Sequence, residues 1–167
     1  MNFRENFEWQ FRFLEPISKI LGPRLLQPAA IEIDMKEATD MLLLLARDMK
    51  IACRVRRPGF MHFRWQFTIR SSLPSGAKTE LQKIDEGFGD WMFYGHAAQS
   101  DEPILTHWHI IDLHAFRAHL IRNPWFRPKQ ILNGDGTKFV AFDVREFSPD
   151  PPILIDSNVT QALEPAV

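Results

Sequence analysis

The pattern of apolar and polar positions predicts three consecutive β-strands in the first half of the chain. Residues 39–47 are almost continuously apolar, as in a strand that is buried on both faces. Residues 50–57 and 65–71 alternate apolar and polar side chains, as in strands with one face toward a core. Paired in sequence order, the three strands would form a meander at the centre of a sheet.

Helical spacing of apolar residues precedes this predicted meander. Residues 2–21 are expected to form a helix that is kinked or split at Pro16 and that ends at Gly22-Pro23. The side chains expected to face the core recur at helical spacing: Phe3, Phe7, Phe11, Leu14, Ile17 and Leu21. Three others are expected at the surface or its rim: Glu8, Trp9 and Arg12.

The second half of the chain is predicted to mix helices and strands. The predicted elements are a helix at 78–86, a strand hairpin at 90–96 and 104–113, a helix at 113–122, an irregular loop at 123–136 and a strand at 137–145. This order predicts an α+β fold, with a single mixed β-sheet flanked by helices, in one domain over residues 1–150. Residues 151–167 are expected to be a loosely ordered tail.

Charge is distributed unevenly along the chain, although the net charge is only −1. A field that attracts nucleic acid over the whole surface is therefore not expected. Residues 50–70 contain six cations and no acid: Lys50, Arg54, Arg56, Arg57, Arg64 and Arg70. Such a local basic patch predicts binding of phosphate, or alternatively a solvated face.

The single cysteine, Cys53, excludes an intrachain disulfide and a cysteine-based zinc site. Its place among apolar residues predicts a small buried side chain. The longest apolar run is far too short to cross a bilayer and the first ten residues carry no signal-peptide core, so a cytoplasmic location without membrane partners is expected. The many aromatic residues leave a homodimer open.

The predicted order of helix, three-strand meander, helix and strand resembles the core of the PD-(D/E)XK nuclease-like superfamily over residues 3–96. In that family an Asp begins one hairpin strand, and an acid-x-Lys triplet lies on the next. Asp40 matches the first position. The next strand, IACRVRR, has no acid, and Arg56 takes the place of the Lys. The segments CRVRR, FTIRS, TELQKI and GDWMFYG are also similar to an uncharacterised family carried by phages and prophages, which implies no activity.

The resemblance implies a nucleic-acid-acting protein, as a divergent metal-dependent phosphodiesterase. Asp40 and Glu80 would hold Mg²⁺ or Mn²⁺, and Arg56 or Lys78 would stabilise the phosphate. The backbone of the nucleic acid would be bound by Arg54, Arg56, Arg57, Arg64 and Arg70. The alternative is a non-catalytic accessory protein of phage type that binds nucleic acid or a host protein through the same basic patch.

Structural interpretations of the same residues stay open. Asp40 would face Arg57 across a two-residue hairpin loop or Arg56 across a three-residue loop, and only the second register gives a polar site. The structural alternative for Asp40 is an ion pair or a strand-start cap. Glu80 would form a solvated pair with Lys83, one helical turn away. The imidazoles of His96, His107 and His109 would either hold Zn²⁺ or reflect the alternation of half-buried strands.

Overall fold

The computed structural model of the protein describes residues 3–28, 41–43 and 49–159, with side chains over 4–25 and 49–159. The helices are α1 (Phe3–Phe11), α2 (Leu14–Leu25), α3 (Glu80–Asp85) and α4 (Leu113–Arg122), with short 3₁₀ turns at Met61–Phe63 and Val144–Glu146. The strands are β1 (Leu26–Pro28), β2 (Met41–Leu43), β3 (Ile51–Arg56), β4 (Gln66–Ser72), β5 (Trp91–Ala97), β6 (Leu105–Asp112), β7 (Lys129–Leu132), β8 (Lys138–Asp143) and β9 (Leu154–Ser157). Of the described helices, none combines the length and apolarity that a bilayer crossing needs.

The α+β class is confirmed, with a mixed four-stranded sheet in the order β3-β5-β6-β9 and helices packed on it. In this sheet β3 runs parallel to β5, and the other neighbours are antiparallel. The remaining described strands form a second sheet, β4-β8-β7, and a β1-β2 pair, so the strands are divided among three sheets rather than one.

The predicted meander is wrong in its pairing, because β3 and β4 belong to different sheets. The chain leaves β3, forms β4 in the second sheet, passes through α3 and returns as β5 alongside β3. The strand predicted at 39–47 is described only at Met41–Leu43, which pairs with Leu26–Pro28. Its remaining residues, including Asp40, lie outside the described residues.

Alternation along β3 separates two apolar clusters. Val55 joins a cluster with α1 and α2 on one face of the four-stranded sheet. Ala52 packs against a larger cluster, which contains Phe67 and Phe142 of the second sheet together with Phe116 of α4. The two sheets therefore face each other across the second cluster, and the even-numbered side chains of β3 point into the space between them.

The core face of the N-terminal helices differs from the prediction. Phe7 and Phe11 are 59% and 61% exposed and Leu14 is exposed as well, whereas Phe13 is completely buried and Trp9 nearly so. The chain breaks after Phe11, not at Pro16, which lies in the first turn of α2 and costs no internal hydrogen bond there. The buried series is Trp9, Phe13, Ile17 and Leu21. Glu8 and Arg12 are exposed, as expected.

Helix α2 also extends through Leu25, beyond the predicted stop at Gly22-Pro23.

Local signals located most of the later elements correctly. The hairpin β5-β6 forms as predicted. Helix α3 begins at a capping box in which Thr79 and Gln82 bond each other's backbone N–H, and α4 begins at the Asp112 cap. Two strands were missed: β7 lies within the predicted loop, and β9 lies within residues 151–159 of the predicted tail and pairs with β6. Residues 160–167 are outside the described part.

Substituting the two rings of the N-terminal segment distinguishes their roles. Phe13→Ala should lower the free energy of unfolding by about 3–5 kcal/mol, because it empties a filled site in the core. Phe11→Ala is the matched control and should change it by less than about 1 kcal/mol, because that ring is already exposed. Urea unfolding of both variants measures the difference, and equal losses would contradict this packing.

Candidate functional site

Two arginines of β3 extend into the space between the facing sheets. Arg54 lies beside Tyr94 and Arg56 beside His96 in the register of β3 with β5. Across the gap, β4 contributes Arg70, which is paired in register with Phe139 of β8. The sequence predicted correctly that Arg54 and Arg56 share one face. It gave no indication that the second sheet brings Arg70 to meet them.

These side chains line a cavity of about 420 Å³, which we call the arginine cavity. Four guanidinium groups border it: Arg54, Arg56, Arg57 and Arg70. Tyr94 and Thr68 also line it, and their hydroxyl groups share a hydrogen bond of 2.9 Å. The turn between β7 and β8 closes another side with Asn133, Asp135 and Thr137. The left-handed backbone of Gly136 (φ +81°) allows this tight turn.

Arg54 is the neutralised member of the set. Its Nη1 donates to Oε2 of Glu80 over 2.9 Å, and the backbone N–H of Arg70 donates to the same oxygen over 3.3 Å. The Arg54 guanidinium also lies 4.7 Å from the ring centre of Phe139. Both partners are partly buried. Through these two bonds Glu80 connects α3 to β3 and β4.

Arg56 and Arg70 retain hydrogen-bonding capacity at the cavity. The Arg56 guanidinium lies 4.7 Å from the ring centre of Phe60 and 4.9 Å from that of Phe63. Its Nη1 atom is buried and has no hydrogen-bond partner among the described residues, and the same is true of Arg70 Nε. Buried polar groups are nearly always paired, so two such donors in one cavity indicate a missing acceptor.

The other charged groups of the cavity are held at its margin. Arg57 stacks on Trp9, with 4.4 Å between the guanidinium carbon and the ring centre, and donates to Asn6 Oδ1 over 3.2 Å. Hydrogen bonds from Thr137 hold the pKa of Asp135 below its usual value, and Arg70 adds a smaller effect. Four guanidinium groups therefore border the cavity, where the Glu80 carboxylate is paired with Arg54 and the Asp135 carboxylate lies on the β7-β8 turn.

A second depression continues from the first on the far side of the Arg54–Glu80 pair. We call it the lysine groove, since Lys50, Lys78 and Lys83 line it. Its volume is about 610 Å³, and it shares Arg54 and Arg70 with the arginine cavity. Cationic side chains therefore border both depressions.

The residues predicted to be catalytic do not all meet. Glu80 pairs with Arg54 rather than Lys83, and Lys78 donates to Glu86 over 2.7 Å. Asp40 lies outside the described residues, so its pairing across the hairpin and a metal held between Asp40 and Glu80 stay predictions.

The structure places two further residues differently from the predictions. Arg64 lies apart from the cavity, 5.9 Å from the ring centre of Trp65. Cys53, on the edge strand β3, is exposed rather than buried.

The three histidines that the sequence offered as zinc ligands, His96, His107 and His109, lie on the β5-β6 hairpin and do not line the arginine cavity. His96 is 1% exposed, and neither ring nitrogen makes a well-formed hydrogen bond in the described part of the protein, although the backbone of Gln66 lies close enough to affect its pKa. His109 bonds the Arg64 carbonyl over 2.7 Å and the Ser157 hydroxyl over 2.8 Å. Within residues 4–25 and 49–159, the His, Cys, Asp and Glu side chains include no group of three that could hold a metal ion.

Burial, followed by the charge of Arg56, lowers the pKa of His96 to about 4, while the backbone of Gln66 acts in the opposite sense. His107 and His109 contribute smaller effects in the same direction as Arg56. His96 is therefore neutral at pH 7 and adds no charge to the cavity. The sequence did not predict that His96 lies beside Arg56, because β5 was expected to pair only with β6 and not with β3.

Acidification should destabilise the protein through His96. The unfolded chain takes up a proton near pH 6.5 and the folded chain near pH 4, so stability falls as the pH drops through this interval. We expect His96 to account for a loss of about 1–2 kcal/mol in unfolding free energy between pH 7 and pH 5. Urea unfolding at both pH values, compared with His96→Gln, measures this part. An equal loss in the variant would contradict the assignment.

Comparison with known proteins gives no relative from which a role could be transferred. No family model matches the sequence, and no curated protein and no solved structure shows significant similarity to it.

Proposed function

We propose that this protein is a nucleic-acid-binding module that holds phosphate groups in the arginine cavity. The observation that carries the proposal is the pair of buried donors, Arg56 Nη1 and Arg70 Nε, which have no acceptor among the described residues. Both belong to a cavity that four guanidinium groups border. An anion that enters the cavity would supply the acceptors and offset the charge at the same time.

The chemistry of arginine favours phosphate as that anion. A guanidinium group presents planar, forked N–H donors that match two phosphate oxygens, and it stays charged at every relevant pH. The Arg56 fork is already placed beside Phe60 and Phe63, and the Arg70 guanidinium lies 5.5 Å from the ring centre of Phe139. Side chains fixed in this way lose less conformational entropy when a ligand binds.

The lysine groove extends the proposed interface beyond a single phosphate. Ammonium groups on flexible stems bind phosphate as point charges, with little geometric selection. A single strand that crosses from the cavity to the groove would pass Arg54 and Arg70, which border both. Phe60, which lines the cavity and is 40% exposed, offers a stacking surface for an unpaired base.

Catalysis through a metal is the less supported interpretation. A carboxylate that holds Mg²⁺ must offer its oxygens to the ion, whereas Glu80 Oε2 accepts two hydrogen bonds from the protein. The proposal therefore assigns Glu80 to the positioning of Arg54.

The variant Glu80→Gln separates the two interpretations. If Glu80 positions Arg54, removing its charge should strengthen binding of a single-stranded oligonucleotide by about two- to fivefold, because a neighbouring negative charge is lost. If Glu80 holds a metal, the variant should lose Mg²⁺ binding and gain no affinity. Calorimetric titrations with MgCl₂ and with the oligonucleotide, at one salt concentration, give both answers.

Removing cavity arginines should weaken binding and flatten its salt dependence. Arg56→Ala and Arg70→Ala should each lower the affinity for single-stranded DNA or RNA by roughly tenfold, because a charge-assisted hydrogen bond is lost. Each should also reduce the slope of log K against log salt by about 0.7, the value for one phosphate contact on a single strand. Fluorescence anisotropy over a salt series measures both quantities.

Arg64→Ala is the matched control, since Arg64 lies on the same basic segment but outside the cavity. It should leave affinity and slope nearly unchanged. Thermal unfolding of each variant shows whether it is folded at the temperature of the titration. If the three variants lose affinity equally, binding is spread over the basic surface and the cavity is not the site.

A further inference from the structure

We infer that Trp9 of α1 donates a hydrogen bond to the bound strand, so that the helix forms a third side of the binding site. The inference rests on the proposed function and adds to it a ligand contact that carries no charge. It is drawn from one buried atom, the indole Nε1 of Trp9, and from the position of that residue at the arginine cavity.

The Trp9 indole N–H has no acceptor in the described part of the chain. The residue is 9% exposed, and its Nε1 atom is buried without a hydrogen-bond partner there. An indole nitrogen can only donate, so no change of tautomer gives it another role. Leaving a buried donor unpaired is costly, and most buried polar atoms in native proteins have a partner. The missing partner is therefore an acceptor atom that the described residues do not supply.

The donors left unpaired among the described residues border one cavity. Buried side-chain nitrogens without a described partner occur in Trp9, Arg56, Arg70, His96 and His107. A histidine nitrogen donates or accepts according to its tautomer, whereas the nitrogens of tryptophan and arginine only donate. The tryptophan and both arginines line the arginine cavity, and neither histidine does. These three residues come from α1, β3 and β4, so three separate elements leave a donor unpaired at the same place.

The indole ring of Trp9 is held in place by its neighbours. The Arg57 guanidinium lies over the ring, 4.4 Å from its centre, and the Phe13 ring packs against it with 4.9 Å between the ring centres. Phe13 is itself completely buried. A donor that is fixed before the ligand arrives loses little conformational entropy on binding.

A strand that occupies the cavity would supply acceptors to all three unpaired donors. Its phosphate, sugar and base oxygens all accept hydrogen bonds. Arg56 and Arg70 would contribute charge together with their donors, whereas Trp9 would contribute a neutral donor. The Trp9 contact should therefore add to the affinity without adding to its salt dependence, which comes from the neutralisation of phosphates by cations.

The variant Trp9→Phe removes the indole N–H and keeps an aromatic ring beneath Arg57. Affinity for the single-stranded oligonucleotide should fall about three- to tenfold, as for one neutral hydrogen bond. The slope of log K against log salt should stay that of the unmodified protein, because no charge is removed. Fluorescence anisotropy over a salt series measures both quantities.

Trp108→Phe is the matched control. Trp108 is also 9% exposed and belongs to the same apolar cluster as Trp9. It too has a guanidinium over its ring, that of Arg24 at 4.7 Å from the ring centre, but it does not line the arginine cavity. The control variant should therefore keep the affinity of the unmodified protein.

Nuclear magnetic resonance of the indole N–H groups gives a second result that does not depend on the folding of a variant. When the strand saturates the unmodified protein, the Trp9 indole proton should shift downfield, because it gains an acceptor. The Trp108 indole proton should keep its position. A ring that only packs in the core would give no such difference between the two signals.

The outcomes separate this inference from the proposal beneath it. Unchanged affinity in Trp9→Phe, equal losses in the two tryptophan variants, or a Trp9 signal that does not move would each overturn the contact, while binding through the arginines stands. Failure of the unmodified protein to bind the strand would overturn the proposed function itself.

Discussion

The burial of arginine side chains between two facing sheets is the constraint around which this structure is organised. Strand β3 sends Val55 into one apolar cluster and Arg54 and Arg56 into the gap on its other face. A gap between sheets is usually filled by apolar side chains, because an unpaired buried charge is costly. The protein fills one end of the gap with aromatic and aliphatic residues. Four arginine side chains lie at the other end, and Arg54 among them is paired with Glu80.

The arginines of the cavity differ in the partners that their guanidinium groups have. Arg54 is paired with Glu80, and Arg57 lies on Trp9 at the margin. Arg56 and Arg70 have aromatic neighbours but retain buried donors without a described acceptor. His96, next to Arg56, stays neutral because burial and that charge lower its pKa to about 4. Buried donors without an acceptor lower the free energy of unfolding. An anion that binds them in the folded state would restore this stability, as is common at functional sites.

Much of the fold could be predicted because its signals are local. Helix α4 and the β5-β6 hairpin follow from periodicity and turn residues, and α3 follows from its capping residues. Predictions failed where distant segments compete. Pairing of successive strands is the ordinary expectation, yet β3 pairs in parallel with β5 across an intervening strand and helix. The core side of α1 was wrong because the helix breaks after Phe11 and a second apolar series, from Trp9 to Leu21, replaces the first.

The site was predictable to the extent that it lies on one strand. Alternation placed Arg54 and Arg56 together, and the absence of acids over residues 50–70 marked the region. Arg70 and the Asn133–Thr137 turn reach the cavity through the second sheet, whose assembly depends on β4-β8 pairing over more than sixty residues of sequence. The Glu80–Arg54 pair was missed because it joins α3 to β3, whereas the sequence offered Lys83 on the same helix as the nearer partner.

Thermal unfolding in the presence of phosphate tests the central claim most directly. A ligand that binds only the folded state raises the melting temperature. Once the ligand concentration exceeds the dissociation constant, the stabilisation grows with the logarithm of that concentration. With ionic strength held constant by chloride, the melting temperature should rise with added phosphate in the unmodified protein, and much less in the double variant Arg56→Met/Arg70→Met. An equal rise in both proteins, or none in either, would contradict the claim that these arginines form an anion site.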